Sequence, residues 1–89
     1  MVQVFFIYAD KCEHCQAALS AIEDAVIKCK EIPCEILKYH YDTKAAIAIA
    51  CNKGIDDLPG FVIGDEVFVG KDYSAKRIED AIKKSSKKT

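Results

Sequence analysis

The sequence predicts an α/β fold, a thin mixed sheet of four strands flanked by three helices in the order β-α-β-α-β-β-α. Short β-branched and aromatic segments alternate with segments whose apolar residues recur every three to four positions, as strands alternating with helices do. The last two predicted strands are separated by Gly64-Asp65, which suits a tight hairpin turn of type I′ or II′. A strand-helix-strand unit implies parallel strands, and the closing hairpin adds antiparallel ones.

The first half of the chain contains two predicted strands and the helix between them. Residues 2–9 are almost wholly apolar, which is typical of a short strand buried on both faces. Apolar residues at helical spacing predict an amphipathic helix from about Cys12 to about Lys30, with Asp10 and Glu13 as its capping pair. Residues 34–41 have the bulky side chains that favour a second strand.

The second half begins with a helix that we expect Asp42 or Thr43 to cap and Gly54 to end, since glycine suits the left-handed conformation found there. The hairpin follows, and Ser74 opens the last helix. The prediction is one domain over residues 1–84 and a basic C-terminal tail over residues 85–89.

Composition narrows the class of protein. The chain has 89 residues, 51% hydrophobic and 30% charged, which describes one globular domain. No apolar run is long enough for a bilayer, and no basic region precedes the first one, so we expect a cytoplasmic protein with no membrane partner. The net charge is −1, and the lysines near the C-terminus lack interleaved aromatic residues, which argues against a nucleic-acid partner.

Two of the five cysteines, Cys12 and Cys15, lie two residues apart where the first strand meets the first helix. Disulfides in the cytoplasm are usually catalytic or redox-sensing rather than structural. Amide donors and the positive end of the helix dipole favour a thiolate at Cys12, which makes it the expected nucleophile, and Cys15 the resolving thiol. The other cysteines are expected to be small buried hydrophobes, and no second C-x-x-C completes a zinc site.

The segment Cys12-Glu13-His14-Cys15 and the dipeptide Leu58-Pro59 before the third strand, taken with the element order, resemble the glutaredoxin branch of the thioredoxin superfamily. The resemblance covers essentially the whole chain. It implies a dithiol–disulfide oxidoreductase that exchanges electrons through Cys12 and Cys15 with protein disulfides or glutathione. It also implies a cis-proline at Pro59 and a backbone at Leu58 that pairs with an extended substrate or glutathione.

Other parts of the family pattern are altered. In this resemblance, Asp72 and Ser74 correspond to the segment that binds glutathione in glutaredoxins, just before the last helix. Free backbone N–H groups at the start of a helix are suited to bind a carboxylate. His14 and Lys11 are expected to stabilise the Cys12 thiolate, whereas Glu13 opposes them. We therefore expect a disulfide more oxidising than that of thioredoxin.

The resemblance implies disulfide-containing protein substrates, with ribonucleotide reductase as the example it suggests, and glutathione or a reductase protein as electron source. We expect a monomer with no tightly bound cofactor or metal and with glutathione as a candidate co-substrate. The alternative is a non-catalytic domain that senses redox state, or binds a metal or an iron–sulfur cluster, through the same cysteines. The metal content of protein purified without chelator distinguishes the two.

Overall fold

The computed structural model describes residues 1–87 and contains the seven elements in the predicted order. They are β1 (Val2–Tyr8), α1 (Glu13–Lys28), β2 (Cys34–His40), α2 (Lys44–Lys53), β3 (Gly60–Ile63), β4 (Glu66–Val69) and α3 (Ala75–Lys87). The strands form one sheet in the order β2-β1-β3-β4. The predicted fold class is confirmed.

The register of the sheet determines which residues lie opposite one another on neighbouring strands. Strand β1 runs parallel to β2, with Tyr8 opposite His40, and antiparallel to β3, with Ile7 opposite Gly60. Strands β3 and β4 form the predicted hairpin. In its two-residue turn Gly64 has a φ of +60° and Asp65 has a negative φ, so the turn is of type II′ rather than I′.

Helices cover both faces of the sheet, as predicted. Side chains alternate along a strand, so successive residues of β1 enter different clusters. Phe6 packs with Ile22 of α1 and Ile78 of α3 on one face, and all three are essentially inaccessible to solvent. Ile7 packs with Ala46 of α2 on the other face. The residues just after β1 therefore lie at the carboxyl end of the strand, between the layer of α1 and α3 on one face and α2 on the other.

The ends of α2 and α3 follow the sequence prediction. Thr43 caps α2, because its Oγ1 accepts the backbone N–H of Ala46 at 3.2 Å. Gly54 ends that helix with a φ of +70°, in the left-handed region. Ser74 precedes α3, and its Oγ accepts the backbone N–H of Arg77 at 3.2 Å. Local capping chemistry is sufficient to set these boundaries.

The C-terminal tail is partly described. Helix α3 continues to Lys87, so residues 85–87 of the predicted tail are helical, while residues 88–89 lie outside the described part of the chain. The domain boundary at residue 84 stays a prediction. Among residues 1–87, no helix combines the length and the apolar character that a membrane crossing requires.

Candidate active site

The connection between β1 and α1 places Cys12 at the N-cap of α1. Its backbone is extended, with φ −103° and ψ 104°, and its Sγ accepts the backbone N–H of Cys15 at 3.1 Å. The predicted capping pair of Asp10 and Glu13 is therefore wrong. The sulfur of Cys12 takes the place expected for a capping carboxylate, and the side chain of Asp10 instead contacts His40.

Cys12 and Cys15 form a disulfide across the first turn of α1. Their Cα atoms are 5.2 Å apart, well within the range that a disulfide spans. The two cysteines differ in exposure, since Cys12 is half-buried while Cys15 is only 3% exposed. Cys15 is thus the more covered of the two, as predicted, and the roles of nucleophile and resolving thiol stay predictions.

A cavity of about 240 Å³ opens beside the disulfide and is bordered by both cysteines. Phe6, Tyr8 and Leu19 provide its apolar walls, and Lys38 of the neighbouring strand lies at its margin. Its volume falls below the usual range for sites that hold whole small molecules. The cavity is therefore of a size for one side chain or one small chemical group.

The three residues predicted to tune the dithiol are all exposed. Lys11 directly precedes Cys12 and has a φ of +54°, in the left-handed region that side chains rarely adopt. Glu13 and His14 occupy the first turn of α1. Because water and salt screen exposed charges, we expect each of them to have only a weak effect on the dithiol. Their tuning roles stay predictions.

The Leu58–Pro59 peptide bond is cis. Because Ile7 lies opposite Gly60, the Leu58–Pro59 segment lies at the same end of the sheet as the end of β1 that leads to Cys12. Pro59 is buried, whereas Leu58 is half-buried and packs against the apolar clusters on both faces. The backbone N–H of Leu58 is already engaged by the segment itself, since it donates to Oδ1 of Asp57 at 2.8 Å.

The β4–α3 connection lies beside Pro59, because the backbone N–H of Gly70 donates to the Pro59 carbonyl oxygen at 2.7 Å. The two residues predicted there to bind glutathione both contact Arg77. The guanidinium of Arg77 donates to the carbonyl oxygen of Asp72 at 3.0 Å and to its Oδ1 at 3.2 Å, while Ser74 caps the same turn. Glutathione binding at Asp72 and Ser74 stays a prediction. A carboxylate arriving there would also meet the exposed cation of Arg77, which sequence reasoning missed.

His40 is the second residue that sequence reasoning missed. It is the last residue of β2, an outer strand of the sheet. Its imidazole, however, lies between the carboxylates of Asp10 and Asp42. Hydrogen bonds to Asp42 and then to Asp10 raise the pKa of His40 above its ordinary value. Only the register of β1 against β2 brings Asp10 and His40 together, and the sequence carries no local signal for it.

The remaining cysteines differ from one another. Cys29 is buried as predicted, but Cys34 is half-buried and Cys51 is exposed, so the prediction was wrong for these two. Burial, followed by the neighbouring Cys29 thiol, raises the pKa of the Cys34 thiol. Within residues 1–87, no three His, Cys, Asp or Glu side chains are grouped so that they would hold a metal ion.

Comparison with known proteins extends the description of the fold. No protein-family model matches the chain, and no curated protein matches it in sequence. Among solved structures, a thioredoxin-like protein from Clostridium perfringens superposes with a TM-score of 0.74 at 15% identity, over 94% of this chain and 70% of that one. Malassezia sympodialis thioredoxin gives 0.67 at 23% identity, over 96% and 75% of the two chains. Thioredoxin O2 from Arabidopsis thaliana, in its oxidised state, gives 0.64 at 16% identity, over 94% and 74%.

These similarities establish that the chain has a thioredoxin-like fold, as the resemblance in its sequence implied. The three structures are thioredoxins or thioredoxin-like by name, so assignment to the glutaredoxin branch stays a prediction. Within this fold the Cys12–Cys15 disulfide marks the candidate redox site.

Proposed function

We propose that the protein is a dithiol–disulfide oxidoreductase in which Cys12 is the nucleophile and Cys15 the resolving thiol. One observation carries the proposal: the Sγ of the half-buried residue Cys12 both forms a disulfide with the buried Cys15 and accepts that residue's backbone N–H at 3.1 Å. In the reduced protein, the same amide and the positive end of the α1 dipole favour a thiolate on Cys12.

The first step is attack of the Cys12 thiolate on a disulfide of the substrate. A bond forms between Cys12 Sγ and one substrate sulfur, while the substrate S–S bond breaks. The second substrate sulfur leaves as a thiolate and takes a proton from solvent. The cavity beside the site is placed to receive a side chain of the substrate, because Cys12 lies at its border.

The second step releases the product. Cys15 loses its proton and attacks Cys12 Sγ, which re-forms the Cys12–Cys15 disulfide and expels the remaining substrate sulfur as a thiol. In total the substrate gains two electrons and two protons: both electrons come from the two cysteines, one proton comes from Cys15 and the other from solvent. The short distance between the two cysteines favours this step, since the resolving thiol is already in place within one helical turn.

A small thiol such as glutathione, or a reductase protein, is the proposed electron source that restores the dithiol. Support for glutathione comes from the position of the β4–α3 connection beside Pro59, and from Arg77 at the start of α3, whose guanidinium bonds Asp72 yet stays exposed to a further carboxylate. Turnover should be measured with glutathione and, separately, with thioredoxin reductase. Turnover with the reductase alone would eliminate the glutathione proposal and leave the roles of the two cysteines unchanged.

The cysteine roles are tested with single variants and a disulfide-linked reporter peptide. Cys15→Ser is expected to accumulate a mixed disulfide with the peptide at Cys12, detectable as a mass increase that dithiothreitol reverses. Cys12→Ser is expected to form none and to lose reductase activity. Cys51→Ser is the matched control, because it removes an exposed thiol far along the chain from the site. Activity retained in Cys12→Ser and lost in Cys15→Ser would overturn the assignment.

A further inference from the structure

His40 is the point at which β2 meets the segment that leads to the dithiol. Its ring contacts Tyr8 edge-on, with the centroids 5.4 Å apart, and Tyr41 at 4.8 Å. The backbone N–H of Tyr41 donates to the carbonyl oxygen of Tyr8 at 2.8 Å. The imidazole is therefore confined on two sides, and its side chain is only 22% exposed.

Both ring nitrogens of His40 face carboxylate oxygens. Nε2 lies 3.0 Å from Oδ2 of Asp10, and Nδ1 hydrogen-bonds Oδ1 of Asp42. A neutral imidazole carries one N–H and can donate to only one of these carboxylates, whereas an imidazolium donates to both. The observed arrangement is thus complete only when His40 is protonated, which agrees with the raised pKa of this histidine.

Asp10 connects this arrangement to the reacting sulfur. Only Lys11 separates Asp10 from Cys12, and its φ of +54° turns the chain sharply at that point. A residue in the left-handed region costs energy unless it is glycine, so neighbouring contacts must hold such a turn. The hydrogen bond between Asp10 and His40 is one contact that can hold the turn, and it joins residues 30 positions apart in the sequence.

The groups that face His40 come from each neighbouring segment. Tyr8 and Asp10 face it from β1 and the turn that follows, and Tyr41 and Asp42 from the β2–α2 connection. Lys38, two positions earlier on β2 itself, borders the same cavity as Asp10 and Lys11. When His40 is protonated, its positive charge offsets one of the two nearby negative charges, those of Asp10 and Asp42. When His40 is neutral, it offsets neither of them.

We propose that His40 is a positioning residue whose protonation holds the Asp10–Lys11 turn and promotes the thiolate form of Cys12. The inference rests on the proposed function, since it concerns regulation of that site by pH. Loss of the proton frees one carboxylate from its donor, loosens the turn and adds net negative charge two residues from Cys12. Each of these changes disfavours the thiolate.

The test is the pH profile of Cys12 alkylation by iodoacetamide in the reduced protein, followed by mass spectrometry of the peptide that contains Cys12. Wild-type protein is expected to show two protonation steps, one from Cys12 and one from His40. His40→Gln is expected to show one, and to react about threefold more slowly at pH 6.5, the size typical of partly exposed charge interactions. His40→Phe keeps a ring against Tyr8 but has no donor, so it should match His40→Gln.

A second measurement needs no variant. Coupling is reciprocal, so the Cys12 thiolate must favour protonation of His40 as much as His40 favours the thiolate. The NMR titration midpoint of the His40 ring is therefore expected at higher pH in the reduced protein than in the disulfide form. Equal midpoints, or a single identical step in the alkylation profiles of wild type and His40→Gln, would overturn the inference. Alkylation needs only a thiol, so this failure is distinct from failure to trap a mixed disulfide.

Discussion

The backbone N–H of Leu58 donates to Oδ1 of Asp57, 2.8 Å away, so the amide expected to pair with an extended substrate already has an acceptor. The bond is exposed, and a substrate carbonyl oxygen must displace the carboxylate before it can accept from this amide. The Asp57 carboxylate thus competes with the predicted substrate for the backbone N–H of Leu58.

Asp57→Ala should free the amide and lower KM for a disulfide-linked peptide about fivefold, because an exposed hydrogen bond is worth on the order of 1 kcal/mol. Asp57→Asn keeps an oxygen acceptor and should retain the wild-type KM. Asp56→Ala removes the adjacent exposed carboxylate and controls for charge alone. A higher KM in Asp57→Ala would mean that the carboxylate itself binds the substrate.

Charge substitutions at Lys11 and Glu13 should move the reduction potential of the dithiol in opposite directions. Glu13→Gln removes a negative charge near the Cys12 thiolate and stabilises the reduced form, while Lys11→Gln does the reverse. Both side chains are exposed, so each change is expected to alter the equilibrium constant about threefold, or about 15 mV for this two-electron couple. Titration against glutathione buffers measures the shifts. Shifts of the same sign would contradict the electrostatic explanation.

The stability of the fold should depend on pH through His40. The hydrogen bonds that His40 donates to Asp42 and Asp10 raise the pKa of His40 in the folded protein. Stabilisation from a raised pKa is complete below the unfolded value, about 6.5, and is lost as pH rises through the folded value. Urea unfolding should therefore show a larger loss of stability for His40→Gln at pH 6 than at pH 9. Asp42→Asn should reduce this difference more than Asp10→Asn, and the opposite order would contradict the assignment of the main contact.

Packing at Gly60 should be sensitive to a single methyl group. A Cβ at this position would overlap Cγ2 of the buried Ile55, and Gly60→Ala is expected to destabilise the protein by about 1–3 kcal/mol. Combined with Ile55→Ala, the substitution should cost less than the sum of the two single changes, because the obstructing atom is gone. Ile47→Ala removes an exposed isoleucine of α2, and its effect should add to that of Gly60→Ala. Simple additivity with Ile55→Ala as well would rule out this overlap.

The fold could be predicted because its signals are local. The change from strand to helical periodicity, the Gly64-Asp65 turn and the caps at Thr43 and Ser74 each depend on neighbours within a few residues. The two cysteines were identifiable for the same reason, since C-x-x-C at a strand–helix junction is a local pattern.

The missed features depend on tertiary contacts. Asp10 was predicted to cap α1 because its side chain fits the local pattern, but His40 competes for the same carboxylate from 30 positions away. Nothing near either residue indicates this pairing, which follows from the parallel register that sets Tyr8 against His40. Cys51 was expected to be buried for its residue type, yet its helix face is open to solvent.

Cys12 and Cys15 are only three positions apart, and this separation determines how much stability the domain loses when the disulfide is reduced. Closing so small a ring restricts the unfolded chain by about 2 kcal/mol on the chain-entropy model, against almost 5 kcal/mol for a ring of a hundred residues. Breaking the bond therefore restores less entropy to the unfolded chain than breaking a disulfide that closes a long loop would. If the proposed disulfide exchange takes place, each cycle of it can proceed without refolding of the domain.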